Sequence, residues 1–490
     1  MSKKLLSWLS LSLVTLLATV LLSFGIHLTA VADTPKHYTQ LEFEPLPEIE
    51  LPDYQRYELD NGMVVYLLED RDLPLISGTA LIRTGSRFEP ADKVGLAELT
   101  GIVMRSGGTQ NHSANELNSI LEKKAASVET NIDIASGTAS FETLTEDLNT
   151  VFPLFTEVLR QPAFAAEQLA IALKQQQGAI ARRNDNPNDI VSREFNKVIY
   201  GAPSPYARTI EYKTLDNISR QDVVNFYQSY VRPENIILGL VGDFDTDTMI
   251  KQVQDSLGDW QNNQPLPNLE IPTTNQENIQ GLFVIDRPQL TQSNILMGHL
   301  GGQFKSPDYP TLSVLNGVLN GFGGRLFNEV RSRQGLAYSV YGAWSPSYDF
   351  DGLFIAGGQT QTNNTVPFIK SIVAEINKLR TDTITQQELV NAKESILNSF
   401  VFNFQTPSQT ISRLMRYEYF DYPEDFIFQY QNQVQNTTEA DILKVAKQYL
   451  QPEQLVTLVV GNTQAMNPSL SSLGKDIKVV DIGVDPITKS

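Results

Sequence analysis

Side chains that bind catalytic metals are scarce in this chain. It contains no cysteine, and its four histidines are His27, His37, His112 and His299. His112 and Glu116 have the i, i+4 spacing that can place two metal ligands on one helix face. However, Ser113 caps the helix that follows, so His112 lies outside it. The sequence therefore offers no convincing metal site, and His299, within the apolar run Ile295 to Leu300, is predicted to be a packed strand residue.

The elements that must position any functional side chain are repeated within the chain. Residues 221–242 read QDVVNFYQSYVRPENIILGLVG, and residues 440–461 read ADILKVAKQYLQPEQLVTLVVG. Five identities share one offset of 219 residues: Asp222/Asp441, Tyr230/Tyr449, Pro233/Pro452, Glu234/Glu453 and Gly242/Gly461. A weaker echo relates residues 106–108 to residues 322–324. This period indicates two homologous halves of about 220 residues rather than a solenoid.

Local patterns predict an α+β fold for each half. Asn61-Gly62 separates two short alternating runs, Tyr57 to Leu59 and Met63 to Leu68, as in a β-hairpin. A third strand is expected at Ile76 to Ile82, and Ser113 to Glu116 forms a capping box that opens a helix. We therefore expect two homologous domains, each a mostly antiparallel sheet packed with helices.

These patterns also suggest the boundaries of the parts. We expect a signal peptide or N-terminal anchor at residues 1–32, a first domain at 41–262, a polar linker containing prolines at 263–280, a second domain at 281–466 and a loosely ordered tail at 467–490.

The N-terminus indicates export. Lys3 and Lys4 precede a stretch without charge that lasts until Asp33, and Ala30-Val31-Ala32 resembles a cleavage site. The apolar stretch is also long enough to be an uncleaved membrane anchor, so both readings stay open. We expect a periplasmic or other extracytoplasmic location.

The net charge of −18 and the lack of a basic tract exclude nucleic acid as a natural partner.

Two strings resemble the pitrilysin/insulinase family of metallopeptidases, especially its mitochondrial-processing-peptidase branch. The first is TGSRFEP at residues 84–90, followed by Gly95-Leu96-Ala97. The second is GRLFNEVRSRQGLAYS at residues 324–339. With the duplication, the resemblance covers essentially the whole chain after residue 32. It implies a clam-shell arrangement of the two domains.

The resemblance also shows what is missing. In active members of this family Gly-Leu-Ala is followed by H-x-x-E-H, in which two histidines bind zinc and the glutamate activates water. The corresponding positions here are Glu98, Gly101 and Ile102, and the family's third ligand corresponds to Ala179. The chain is therefore predicted to hold no zinc and to be inactive alone.

The second string retains the residues that, in this family, reach the zinc centre from the other half. Arg331 and Tyr338 are seven residues apart, as the family's Arg/Tyr pair is. The resemblance implies that they contact the substrate carbonyl or the oxyanion that develops from it. Gly323 and Gly324 correspond to a Gly-rich loop near substrate, although glycines also close ordinary turns.

These expectations lead to two functional hypotheses. The first is a subunit without zinc in an exported heterodimeric metalloendopeptidase, which supplies Arg331 and Tyr338 to a zinc-bearing homologue and acts on unfolded peptides. The second is a peptide-binding or scaffold protein of the same fold without enzymatic function. The retained Arg/Tyr pair favours the first hypothesis. Attachment to a membrane through the N-terminus is compatible with either.

Overall fold

The computed structural model of the chain describes residues 51–321 and 323–484, so the predicted export signal lies outside the described residues. Two six-stranded sheets are present. The strands of the first are β1 Gln55–Glu58, β2 Val64–Glu69, β3 Leu75–Ile82, β4 Ser127–Ile132, β5 Gly137–Leu144 and β6 Ile236–Gly242. Those of the second are β7 Gly281–Asp286, β8 Gln292–Leu300, β9 Ala337–Ser345, β10 Leu353–Gln361, β11 Val456–Gly461 and β12 Ile477–Val479.

Helices follow the strands in the same order in both halves. The first half contains α1 Leu96–Ser106, α2 Ala114–Lys123, α3 Leu148–Arg160, α4 Ala166–Arg182, α5 Pro187–Tyr200, α6 Tyr212–Asp216, α7 Arg220–Tyr230 and α8 Thr246–Leu257. The second half contains α9 Tyr309–Leu319, a π-helix Phe327–Arg333, α10 Thr365–Thr381, α11 Gln386–Phe400, α12 Pro407–Tyr419, α13 Phe426–Asn436 and α14 Glu439–Tyr449. Within the described part of the chain, no helix is long and apolar enough to cross a bilayer.

Several local predictions are confirmed. β1 and β2 form an antiparallel hairpin, and Gly62 in its turn has φ +82°, a conformation that favours glycine. The predicted third strand is β3. The Ser113 hydroxyl accepts a hydrogen bond from the backbone N–H of Glu116, and the Glu116 carboxylate accepts one from the N–H of Ser113. The predicted capping box therefore opens α2.

The strand order shows the duplication directly. The first sheet has the order β1-β2-β6-β3-β5-β4, and the second has β12-β7-β11-β8-β10-β9. Five strands of one sheet thus have a counterpart in the other. Seven of the ten neighbouring pairs are antiparallel and three are parallel. The predicted fold class, two homologous α+β domains with mostly antiparallel sheets, is confirmed.

The sheets differ at one edge. In the first sheet the edge strand β1 comes from the start of the described chain, whereas in the second sheet it is β12, from the segment after residue 466. β12 pairs in parallel with β7, with Ile477 opposite Leu282 and Val479 opposite Val284. The expectation of a loosely ordered tail is therefore wrong for this segment, because its backbone completes a sheet.

Each sheet is covered on one face by a helix from the other half. α12 of the second half packs on the first sheet, where Ile411, Leu414 and Met415 join a cluster that includes Tyr66 and Val241. α5 of the first half packs on the second sheet in the same way. Its cluster contains Ile190, Phe195 and Ile199 from the helix and Leu296, Leu458 and Val460 from the strands. The two halves thus exchange one helix each.

Polar contacts reinforce this exchange. Arg87, a buried residue of the first half, forms an ion pair at 2.9 Å with the half-buried Asp349 of the second. The hydroxyl of Tyr419, at the end of α12, donates a hydrogen bond of 2.7 Å to the carbonyl of Ala135.

Residues 263–280, predicted to be a linker, contain no helix or strand. Tyr206 holds this segment by a hydrogen bond of 2.7 Å from its hydroxyl to the carbonyl of Pro272.

The exchanged α12 requires a glycine beneath it. A Cβ at Gly239, in β6, would lie 2.3 Å from the Sδ of Met415 and 2.6 Å from Cγ2 of Ile411. Gly239→Ala is therefore expected to lower the free energy of unfolding by about 1–3 kcal/mol, as overpacked cores do. Denaturant titration measures this change.

Gly178 is a matched control because a Cβ there meets nothing within 4 Å, in the middle of α4. Gly178→Ala should stabilise the helix by about 0.5–1 kcal/mol. Equal stability of Gly239→Ala and the unaltered chain would contradict the close packing of α12 on the first sheet.

Candidate functional site

The helix that carries the former zinc positions is firmly held at its N-terminus. α1 begins after Gly95, whose φ is +105°. The buried carboxylate of Glu89 accepts hydrogen bonds from the backbone N–H groups of Gly95 at 3.0 Å and Ala97 at 2.8 Å. Burial raises the pKa of Glu89, and these two hydrogen bonds oppose that rise. The first string of the sequence therefore serves to anchor α1.

Glu98, which the resemblance aligns with the first family histidine, is held by a side-chain hydrogen bond. Gln176 of α4 donates from Nε2 to Oε1 of Glu98 at 2.6 Å. Ile102, at the second histidine position, is partly buried against the core of the first half. Ala179, at the third ligand position, is exposed on α4. These side chains supply one carboxylate, which is too few ligands for a zinc site.

The position of the catalytic glutamate is closed by the backbone. A Cβ at Gly101 would lie 2.5 Å from the backbone nitrogen of Ile132, in β4. The hydroxyl of Thr130 donates a hydrogen bond of 2.6 Å to the carbonyl of Gly101, which fixes β4 against α1. No larger side chain fits here without moving the strand.

The two histidines in the described part of the chain, His112 and His299, provide no alternative metal site. His112 Nδ1 lies 2.9 Å from Oε2 of Glu157, while the carboxylate of Glu116 caps α2. His299 is buried in β8 and stacks on Phe354, which confirms that it is a packed strand residue. Burial lowers the pKa of His299. No group of three or more His, Cys, Asp or Glu side chains suited to a metal ion occurs in residues 51–321 and 323–484.

Arg331 and Tyr338 are brought together. Arg331 lies on the π-helix, and its guanidinium carbon is 4.8 Å from the ring centroid of Phe327 and 5.2 Å from that of Tyr338. The guanidinium is thus held between two aromatic faces, an arrangement that stabilises a cation without neutralising it. None of the described hydrogen bonds, ion pairs or ring contacts joins this pair to Glu98 or Gln176.

A strand irregularity explains why Tyr338 is 78% exposed. In the pairing of β9 with β10, Gln359 lies opposite Ser339 and Thr360 lies opposite Ala337. Tyr338 is the extra residue between them. A bulge of this kind redirects a side chain relative to its neighbours. It turns the phenol out of the sheet beside Arg331.

The helix bearing Arg331 is fixed by an ion pair that the sequence analysis did not identify. Arg325 donates from Nε to Oε1 of Glu388 at 2.6 Å and from Nη2 to Oε2 at 3.2 Å. Glu388 also forms a capping box with Thr385 at the start of α11. Burial alone would raise the pKa of Glu388, but the hydrogen bonds from Arg325 and Thr385 outweigh it and lower this pKa to about 2.

β9 is held at its other end by two asparagines one helical turn apart on α9. Asn316 accepts from the N–H of Trp344 at 2.7 Å and donates to its carbonyl at 2.9 Å. Asn320 accepts from the N–H of Gly342 at 2.9 Å and also donates to its carbonyl. These side chains satisfy backbone groups on the outer edge of the sheet, so β9 has a fixed position relative to α9. The i, i+4 spacing of the asparagines was the available sequence signal.

The glycines that precede this helix differ in role. A Cβ at Gly324 would lie 2.0 Å from the carbonyl oxygen of Asn320, so close backbone packing requires glycine there. Gly323 is exposed, and its nearest neighbour to a Cβ is Asn391 Nδ2 at 3.7 Å. Packing therefore accounts for Gly324 and leaves Gly323 free of any such requirement. A contact of either with substrate stays a prediction.

Restoring the ligands tests whether α1 can still accept zinc. Glu98→His/Gly101→Glu/Ile102→His should bind less than stoichiometric zinc. It should also be less stable than Glu98→His/Ile102→His by about 1–3 kcal/mol, because only the triple variant places a side chain against β4. Metal analysis and denaturant titration measure both effects. Stoichiometric zinc in the triple variant with unchanged stability would contradict the closure of this site.

Because of the Arg325–Glu388 ion pair, we expect the free energy of unfolding to fall in acid. The pKa of Glu388 is about 2 in the folded chain and 4.5 in a free glutamate. The ionised Glu388 therefore contributes fully to the free energy of unfolding above about pH 4.5, and this contribution is lost as the pH falls toward 2. Glu388→Gln should lower the thermal midpoint at pH 7, and the difference should shrink below pH 4.5. Glu394→Gln, an exposed change on the same helix, is the control and should have little effect. A deficit for Glu388→Gln that is independent of pH would contradict the assignment.

Comparison with known proteins identifies the family. The insulinase (peptidase family M16) model matches residues 76–209, and the peptidase M16 inactive domain model matches residues 217–396. A crystal structure of a peptidase M16 inactive domain from Pseudomonas fluorescens covers 85% of this chain and is itself covered completely, with a TM-score of 0.76 and 23% identity. This likeness supports the fold.

Curated relatives with related names span most of the chain. An uncharacterized zinc protease, YmxG of Bacillus subtilis, is 25% identical over 73% of this chain and 86% of its own length. In Helicobacter pylori, a protein named non-peptidase homolog YmxG is 22% identical, and a protein named zinc protease PqqE is 24% identical. Each of these two covers 83% of this chain and 93% of its own length. The chain therefore belongs to the insulinase family of M16 peptidases, some of whose members are named inactive or non-peptidase homologues.

Proposed function

We propose that this chain is the subunit without zinc of an exported heterodimeric metalloendopeptidase. In this proposal a homologue that carries H-x-x-E-H supplies the metal, and this chain supplies Arg331 and Tyr338. Neither chain is active alone. The substrates are unfolded peptides, which enter between the two subunits.

The observation that carries the proposal is that Arg331 and Tyr338 are fixed next to each other and have no hydrogen-bond acceptor among the described residues. Among the described residues Arg331 forms no ion pair, and it is held between Phe327 and Tyr338. The Tyr338 phenol is largely exposed, so its hydroxyl is accessible to a substrate or a partner chain. Arg325 and Glu388 fix the helix beneath them. Two donors are thus held ready while no acceptor in the described chain uses them.

Such donors suit the transition state of peptide hydrolysis. A partner's zinc would polarise the scissile carbonyl and activate water. Arg331 and Tyr338 would donate hydrogen bonds to the carbonyl oxygen as its negative charge develops. Because their positions are set before substrate arrives, little reorganisation is needed when charge forms. Stacking leaves the guanidinium charged, so it can interact with the oxyanion.

Two further observations support the pairing and the location. Helicobacter pylori has two relatives of this chain, one named a zinc protease and the other a non-peptidase homolog, which is the division of roles that we propose. Export is supported by the basic start, the uncharged stretch and Ala30-Val31-Ala32 in residues 1–32. The net charge of −18 would attract basic and neutral peptides in preference to acidic ones.

Peptide hydrolysis by the mixed subunits tests this function. The purified chain and a zinc-bearing homologue from the same organism should together cleave an unfolded peptide that neither cleaves alone. Arg331→Ala and Tyr338→Phe should each lower kcat by about 10²–10³, as loss of an oxyanion donor does. Tyr338→Phe keeps the ring over Arg331 and removes only the hydroxyl, so it separates donation from stacking.

Arg333→Ala is the matched control, because Arg333 lies on the same helix, is largely exposed and pairs with Glu329. It should leave kcat unchanged. Hydrolysis in the mixture that does not respond to Arg331→Ala would refute the catalytic role and favour a peptide-binding or scaffold function.

A further inference from the structure

A second site occurs on the outward side of α12. A cavity of about 420 Å³ lies between this helix, the turn Val401–Phe404 that precedes it and Tyr348. Arg413 and Arg416 face it together with the hydroxyls of Ser408 and Ser412. Phe402, which is 58% exposed, forms an apolar wall. None of the described residues that line the cavity is acidic.

The two guanidinium groups are not neutralised within the described chain. Arg413 donates from Nη2 to Oδ1 of Asn403 at 2.7 Å, but its buried Nε has no hydrogen-bond partner. Arg416 lies over the ring of Tyr348, 5.7 Å from the centroid. Neither forms an ion pair with any residue of 51–321 or 323–484. Two adjacent cations without a carboxylate are notable in a chain of net charge −18.

The duplication provides an internal comparison. α5 and α12 begin with Pro187 and Pro407, 220 residues apart, so Arg193 corresponds to Arg413. Arg193 donates to Glu194 at 2.7 Å and to two further oxygen atoms. The counterpart of Glu194 is Leu414, which is buried against the first sheet. The same helix position thus has an internal carboxylate in one half and lacks it in the other.

We infer that this cavity binds the C-terminal carboxylate of a peptide whose last side chain is apolar. A guanidinium can donate two parallel hydrogen bonds to one carboxylate. Arg416 supplies a second positive charge beside that of Arg413. Phe402 and Tyr348 provide an aromatic surface for the side chain attached to the same residue. The volume is within the usual range of roughly 300–1,000 Å³ for ligand pockets. The inference rests on the proposed function for its substrate class, which is a peptide. It adds that the C-terminal end of the peptide is the part recognised.

Fluorescence polarisation with the purified full-length chain alone tests the site. The probe is an N-terminally labelled peptide, Ala-Gly-Ser-Ala-Phe, as the free acid and as the amide. The acid should bind at least about tenfold more tightly than the amide, since charge-assisted hydrogen bonds are lost in the amide. Arg416→Gln and Arg413→Gln should each weaken binding of the acid about tenfold and leave the amide unchanged.

Arg182→Gln is the control, because it removes one positive charge from an exposed side chain outside the cavity. It should change the affinity by less than about twofold, which excludes an effect of net charge alone. Arg416 is exposed, so its substitution should not unfold the chain, and a thermal scan checks this. Equal binding of acid and amide would overturn the proposal.

Two other results would also overturn it. Equal affinity for the free acid and for the amidated peptide Ala-Gly-Ser-Asp-Phe would assign the site to acidic side chains. Displacement of the peptide by inorganic phosphate, under conditions where acetate has no effect, would assign it to phosphate. Because this experiment needs neither the partner subunit nor hydrolysis, its failure is distinct from failure of the proposed peptidase function.

Discussion

The exchange of helices between the halves is the constraint on which the rest of the structure depends. Every residue of β6 and β11, at the centres of the two sheets, is buried, so each sheet must be covered on both faces. One face is covered by helices of the same half, and the other by α12 or α5 from the opposite half. Neither half can bury its sheet alone. The fold therefore has one cooperative core, although its sequence is a duplication.

This mutual dependence limits how the two halves could diverge. The positions that the resemblance aligns with the zinc motif do not form an open cavity, because β4 packs directly on Gly101 and Gln176 donates a hydrogen bond to Glu98. In the second half, by contrast, Arg331 and Tyr338 remain at the surface on a helix and a strand that are fixed from beneath. The first half is thus closed around α1, and the second has an arginine and a tyrosine at its surface. The same scaffold accommodates both outcomes because each leaves the exchanged helices in place.

Sequence patterns predicted the local features that depend on residues close together in the chain. The hairpin at Asn61-Gly62, the capping box at Ser113 and the packing of His299 each follow from a few adjacent residues. The exposed strand β12 could not be predicted this way, because it has only three residues and it forms only by pairing with β7, which is nearly 200 residues away. The π-helix and the bulge at Tyr338 are likewise set by packing across the fold. The residues of the candidate site were predictable, but their orientation was not.

A partly buried ion pair connects the segment that follows β9 to the other half of the chain. Asp349 lies just beyond the end of β9, the strand in which Tyr338 lies, and it pairs with Arg87, two residues before the Glu89 that anchors α1. Burial raises the pKa of Asp349, and the charge of Arg87 opposes that rise. Because Arg87 is buried, removal of the Asp349 carboxylate would leave a buried charge without this partner, which is costly. The position of β9 relative to α1 is therefore held energetically as well as sterically. The two-subunit site that we propose would need this stiffness, because donors that moved with respect to their own scaffold could not be aligned with a metal held by another chain.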